Sequence, residues 1–193
     1  MFNSLYARVA ALSTSPWAEP ALAGVAFAES SFFPVPPDLL LAPMALAQPR
    51  RAWRFAFIAT VASVLGGMVG YAIGAFLYNT VGQWLVNLYG YHDKVEALKQ
   101  TYATWGWLVI LVKGATPIPY KLITITSGAL GYNFPLFVAL SVLTRGVRFF
   151  LVAGALQWFG DPLRAAMGRN FVVFVGAMVA LVVAGFVIAI RAF

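Results

Sequence analysis

Two proline breaks inside apolar sequence constrain this chain more than any other feature. Pro34, Pro36 and Pro37 form the first, and Pro117 and Pro119 the second. Pro34 and Pro117, Pro36 and Pro119, and Asp38 and Lys121 each stand 83 positions apart, so one break is repeated, ending once in an acid and once in a base. Proline has no N–H to give and disfavours helix in the residue before it, so a helix cannot run through either break. Before the first break, residues 21–33 are apolar except for Glu29, Ser30 and Ser31. As helix they reach roughly 20 Å, and residues 39–47 beyond the break roughly 14 Å, against a hydrocarbon thickness of about 30 Å. Neither arm spans a bilayer. Together they read as a re-entrant hairpin, which survives at membrane depth only where protein or a wet cavity covers its broken backbone. Asp38 is placed to cap the second arm. The second break gives a second hairpin, with 105–115 ascending, 116–120 as the break and 121–130 descending.

The membrane setting follows from composition. The chain is 62% hydrophobic and 10% charged, with a mean hydropathy of +0.84, whereas soluble domains carry about 25% charged residues. Net charge is +7, but the 13 basic residues form no run beyond Arg50, Arg51 and Arg54. A nucleic-acid partner, which wants a basic face on a soluble scaffold, is therefore not expected. Cysteine is absent, which excludes disulfide and thiol chemistry. No metal-ligand cluster surrounds His92, which reads as an ordinary surface or interfacial residue. No cofactor and no metal are expected. The N-terminus lacks the apolar core of a signal peptide, and residues 3–19 read as a short amphipathic lead-in.

Two uncharged or nearly uncharged spans follow the hairpins, at about 55–78 and 134–159. Gly66, Gly70 and Gly74 lie at four-residue spacing on the first and make a smooth strip for close helix packing. Whether that packing is within one chain or between two, giving a homo-oligomer, is left open. Residues 82–104 read as an interfacial amphipathic helix or pair of helices, and 171–190 as a last span. The expected fold is thus an all-α integral membrane protein forming a single domain. A hairpin and span cover 20–78, an amphipathic link 79–104, a second hairpin and span 105–160, and a final transmembrane helix 170–191. A re-entrant hairpin returns to its own side, so the second copy starts from the opposite side and the repeats are inverted, as in many transporters. Arg8, Arg50, Arg51, Arg54, Arg164 and Arg169 share one side, which places the N-terminus in the cytoplasm.

Six charged residues fall in or beside the apolar segments: Glu29, Asp38, Lys113, Lys121, Arg145 and Arg148. A charge at the bilayer centre costs about 2.5–3.5 kcal/mol even on the mildest scale, so each needs a partner or a wet cavity. Four positive and two negative charges leave room for an anion. Phosphate suits arginine forks and the helix N-termini at the breaks. Lys113, Lys121, Arg145 and Arg148 are the expected phosphate-binding residues, and Glu29 and Asp38 the titrating acids. The structural alternative pairs Glu29 with Arg145 or Arg148 and Asp38 with Lys121, while Lys113 snorkels to the interface.

Around these residues the sequence resembles the DedA family, also called the SNARE-associated or VTT-domain family, and within it the YqaA-type branch. Lys113 to Lys121, running into Ser127, Gly128, Ala129 and Leu130, resembles its basic, proline-containing segment. Glu29 to Asp38 resembles its acidic hairpin. The resemblance covers roughly residues 20–160. It implies facing re-entrant hairpins in a bacterial inner membrane protein that translocates an anionic lipid, undecaprenyl phosphate or phospholipid, with coupling to protons in many members. It matches Glu29 and Asp38 to the acidic positions and Lys113 and Lys121 to the basic ones. The family's segment carries arginines six apart around one proline, where this chain has lysines eight apart around two. Lysine is a point charge rather than a fork, which changes head-group geometry. A small-ion or proton-coupled antiporter and a non-transporting scaffold are the other readings of the same charges. An enzyme is not expected, since no nucleophile–histidine pair or glycine-rich phosphate loop is present.

Overall fold

The computed structural model describes residues 15–33, 35–90, 92–115 and 120–158, without the side chains of Leu85 and of residues 113–115. Pro34, Pro117, Pro119, the lead-in to residue 14 and the final span 170–191 lie outside them, as does the Lys113 side chain. Every regular element among the described residues is helical: α1 (Ala18–Ser31), α2 (Asp38–Ala47), a 3-10 turn at Pro49–Arg51, α3 (Ala52–Leu77), a π-helical turn at Tyr78–Gly82, α4 (Gln83–Tyr89), α5 (His92–Ala115), α6 (Tyr120–Ala129) and α7 (Phe134–Trp158). Two stretches, Pro49–Gly82 and Phe134–Trp158, are long and apolar enough to cross a membrane.

The first break separates α1 and α2 as expected, although α1 starts at Ala18 and ends at Ser31. Its last turn closes with the Phe32 and Phe33 N–H groups both donating to the Ala28 carbonyl. Asp38 does not cap α2. Pro37 stands at the cap without a side-chain bond, and Asp38 is the first helical residue. It still places a negative charge in the first turn, where the helix dipole favours one. The expected boundary between link and second hairpin is absent. Residues 92–115 form one helix, so the link's second half and the ascending arm are continuous. No proline or glycine pair interrupts 92–112. Among the described residues of the link, the sharp turn is at Gly90, whose φ of 66° ends α4. Within the link Trp84, Leu88 and Leu98 are exposed, while Tyr102 is buried.

The packing runs crosswise. α1 lies against α3 and α5 against α7; in turn α6 lies against α3 and α2 against α7, with α3 and α7 packed on each other. α3 thus contacts both arms of the first half and α6 of the second, and α7 contacts one arm from each half. One apolar core, including Leu22, Leu41, Phe55 and Phe149, joins α1, α2, α3 and α7. Another, including Ile110, Tyr120, Ile123 and Phe137, joins α5, α6 and α7.

The glycine strip is what lets α3 hold two arms at once. A Cβ at Gly66 would sit 2.1 Å from the Phe27 carbonyl oxygen of α1, and one at Gly74 would sit 1.9 Å from the Ile125 carbonyl oxygen of α6. Gly128 answers from α6, where a Cβ would sit 1.9 Å from the Tyr71 carbonyl oxygen. The neighbours are backbone and cannot swing aside, so these glycines serve packing within one chain. Gly74→Ala is expected to cost about 1–3 kcal/mol through overpacking, read as a lower unfolding temperature of the purified protein in detergent.

Candidate functional site

The acidic arm and the long helix α7 meet in the interior. Glu29 is 7% exposed, Asp38 6% and Arg145 0%. Arg145 Nη2 donates to Glu29 Oε2 at 2.7 Å. One turn along the same face of α7, Arg148 Nη2 donates to Asp38 Oδ2 at 2.5 Å. The three-residue spacing on α7 therefore presents two guanidinium groups to the two acids that flank the first break. The carboxylates balance the arginines one for one. For Glu29 this is the structural pairing that the sequence allows. For Asp38 the structure differs, since its partner is Arg148 rather than Lys121. Lys121 sits one residue into α6 and turns its Nζ toward the Phe32 carbonyl oxygen, 3.4 Å away, so it meets the first break at the C-terminal end of α1. That is a favourable place for a cation, because the helix dipole is negative there.

Glu29 does a second job that sequence reasoning missed. Its Oε1 accepts the Tyr120 backbone N–H at 3.1 Å. Tyr120 is the first residue of α6, whose opening N–H groups have no partner within the helix. An acid on one broken segment thus closes the helix beginning at the other, and it offsets the unfavourable position of Lys121 in the first turn. Thr124 reinforces the join, its hydroxyl lying 3.0 Å from the Ser30 carbonyl.

Aromatic and hydroxyl groups complete the surroundings. The Arg145 guanidinium lies over the Tyr120 ring at 4.9 Å and the Phe149 ring at 4.7 Å, an arrangement that favours a desolvated cation. Its Nε donates to Ser63 Oγ at 2.6 Å. Ser63 Oγ is 2.6 Å from Ser30 Oγ, and Ser30 Oγ donates to Glu29 Oε2 at 3.2 Å. The Tyr120 hydroxyl donates to Ser141 Oγ at 2.6 Å, which donates its own proton to the Phe137 carbonyl. Ser63 is detectable in principle, since it falls three residues before Gly66 and so shares the face of the glycine strip. Within the two ion pairs, Arg145 Nη1 and Asp38 Oδ1 are buried and lack a hydrogen-bond partner among the described residues. His92, by contrast, is exposed at the start of α5 in the link, and no metal-ligating group of three occurs among the described residues.

The described part is thus all-helical, with two helices long and apolar enough to cross a bilayer and a buried set of matched charges. The chain belongs to the VTT domain family, the DedA family, whose family model matches residues 34–157. That family is membrane-associated and is regarded as one of transporters rather than enzymes. An uncharacterized protein of Haemophilus influenzae is 35% identical over 192 residues, covering 97% of both chains. An uncharacterized protein HI0703 homolog of Histophilus somni is 34% identical over 182 residues, covering 94% of both. No solved structure matches the chain.

Proposed function

We propose that the protein carries an anionic lipid, undecaprenyl phosphate or a phospholipid, across the bacterial inner membrane as a multi-pass protein with its N-terminus in the cytoplasm. One observation carries the reading. Arg145 is wholly buried, yet keeps an unpartnered guanidinium N–H group, Nη1, among the described residues. A buried donor without an acceptor costs about 1–3 kcal/mol, and a phosphate oxygen is the kind of acceptor an arginine fork takes. In this reading the two ion pairs are the resting state. Glu29 and Asp38 hold the arginines until a proton neutralises a carboxylate. The freed guanidinium then accepts the head group, Lys121 adds a further charge, and the acyl chains stay in lipid. Lys113 is assigned to the same role by its place beside the second break.

A small-ion antiporter is the second reading. The complete burial of Arg145 favours it, because a small hydrated ion needs less opening than a lipid head group. Proteoliposomes holding the full chain and a labelled lipid phosphate distinguish the two. The label is expected to reach the opposite leaflet faster with protein than in empty liposomes. Arg148→Gln, which can still hydrogen-bond Asp38, is expected to slow it about tenfold, as loss of one charge-assisted contact implies. No movement of undecaprenyl phosphate or common phospholipids, with folded protein present, would favour the antiporter.

A further inference from the structure

The Glu29–Arg145 pair does not stand alone; two serines tie its ends together by a second route, and the order of their hydrogen bonds can be worked out. Arg145 Nε can only donate, so Ser63 Oγ accepts from it. Glu29 is paired with a guanidinium and accepts as a carboxylate, so the Ser30 proton points to Oε2 rather than to Ser63. The Ser63 proton is then the one shared between the two hydroxyls, and it goes to Ser30. The result is a one-way chain, Arg145 to Ser63 to Ser30 to Glu29, alongside the direct contact of Arg145 Nη2 with Glu29 Oε2. The chain crosses three helices, with Ser30 on α1, Ser63 on α3 and Arg145 on α7. Ser30 and Ser63 are both fully buried. The groups that face the pair are the Tyr120 ring and N–H from α6 and Phe149 on α7, with Asp38 and Arg148 paired one turn away.

We infer that Ser30 and Ser63 are positioning residues for transport: they hold the Glu29 carboxylate and the Arg145 fork in one register, so that the arginine is presented in a fixed orientation when its acid partner leaves. The inference rests on the proposed role of Arg145 as a head-group ligand. Ser31 supplies the comparison. It is adjacent and equally buried, but its hydroxyl serves the Phe27 and Gly66 carbonyls and does not touch the ion pair.

The test is infrared spectroscopy of the full chain in liposomes. The Glu29 carboxylate band is identified by its loss in Glu29→Gln. Ser30→Ala is expected to move this band, Ser63→Ala to move it less, and Ser31→Ala to leave it in place. In the lipid-phosphate assay Ser30→Ala and Ser63→Ala are expected to slow transport about tenfold, as loss of one hydrogen bond to a charged group implies, while Ser31→Ala stays within about twofold. If Ser30→Ala does not fold, Ser63→Ala decides by the same two readings. A band unmoved by either variant, or moved as far by Ser31→Ala, overturns the inference. So does a moved band with undiminished transport. If the wild-type chain moves no lipid phosphate, the transport reading fails, while the band shifts still establish the serines as the groups that position the pair.

Discussion

Arg145→Ala is expected to be the most damaging single substitution in the described part of the chain. It removes the guanidinium paired with Glu29, a carboxylate that is 7% exposed. Breaking a buried ion pair from one side costs about 3–5 kcal/mol, because the remaining charge is left uncompensated. The substitution also empties the space between the Tyr120 and Phe149 rings and leaves Ser63 without its donor. The unfolding temperature in detergent is expected to fall by on the order of 10 °C. The same logic sets the control. Replacing both partners, Glu29→Gln with Arg145→Met, removes the stranded charge and keeps an oxygen for the Tyr120 N–H, so most of the lost stability returns. Transport is not expected to return, because the double variant has no guanidinium at this position. Methionine refills most of the space, so a double variant as unstable as Arg145→Ala would mean that the guanidinium's ring and hydroxyl contacts, not the stranded charge, dominate the cost.

How much of this is legible in sequence depends on whether the signal is local. The first break is readable because proline acts on its own neighbours, and α1 and α2 form on either side of it as expected. The long helices are readable because each is an uninterrupted apolar run, and the glycine strip because four-residue spacing defines a face. The charges can be selected as costly without knowing their partners. Partners are tertiary facts. The sequence suggests a cap for Asp38 and, as an alternative, a pairing with Lys121; it joins Arg148, 110 positions later, because α2 lies along α7. The contact between Glu29 and the Tyr120 N–H is equally invisible, since a backbone donor leaves no mark in sequence. Composition changes from mixed to apolar at Thr104 and suggests a boundary there. A helix needs no such boundary, and α5 runs through it because its backbone bonds are indifferent to which side chains meet water.

The matched pairs also change the argument for an anion. Counted as a set, six charges leave an excess of two positive. Resolved into contacts, Glu29, Asp38, Arg145 and Arg148 cancel, and the excess resides on Lys113 and Lys121. An anionic head group can reach Arg145 only by replacing a carboxylate or by taking the guanidinium edge that the carboxylate leaves open. In the proposed function the first of these routes sets substrate and acid in competition for one cation, and a proton on the acid settles it.

Glu29→Gln tests that competition directly. Glutamine keeps the shape of the side chain and one oxygen, but it cannot gain or lose a proton. Glu29 accepts three donors, from the Tyr120 N–H, Arg145 Nη2 and Ser30 Oγ. A glutamine has a single oxygen for them, turns its NH2 group toward at least one donor and leaves the buried Arg145 without its counter-charge, so a loss of about 3–5 kcal/mol in stability is expected. The fold is expected to survive, because the amide oxygen can still meet either the guanidinium or the α6 N-terminus. Coupling is not expected to survive. In the wild-type chain the rate of lipid-phosphate movement is expected to rise when a pH gradient is imposed across the liposome. In the Glu29→Gln variant, rates with and without the gradient become equal, since no proton can enter the Arg145 pair. The quantity to measure is that ratio rather than the absolute rate, which also changes with the amount of folded protein. A ratio preserved at the wild-type value in a folded Glu29→Gln variant would remove Glu29 from the coupling step and shift it to Asp38, whose buried Oδ1 has no hydrogen-bond partner among the described residues.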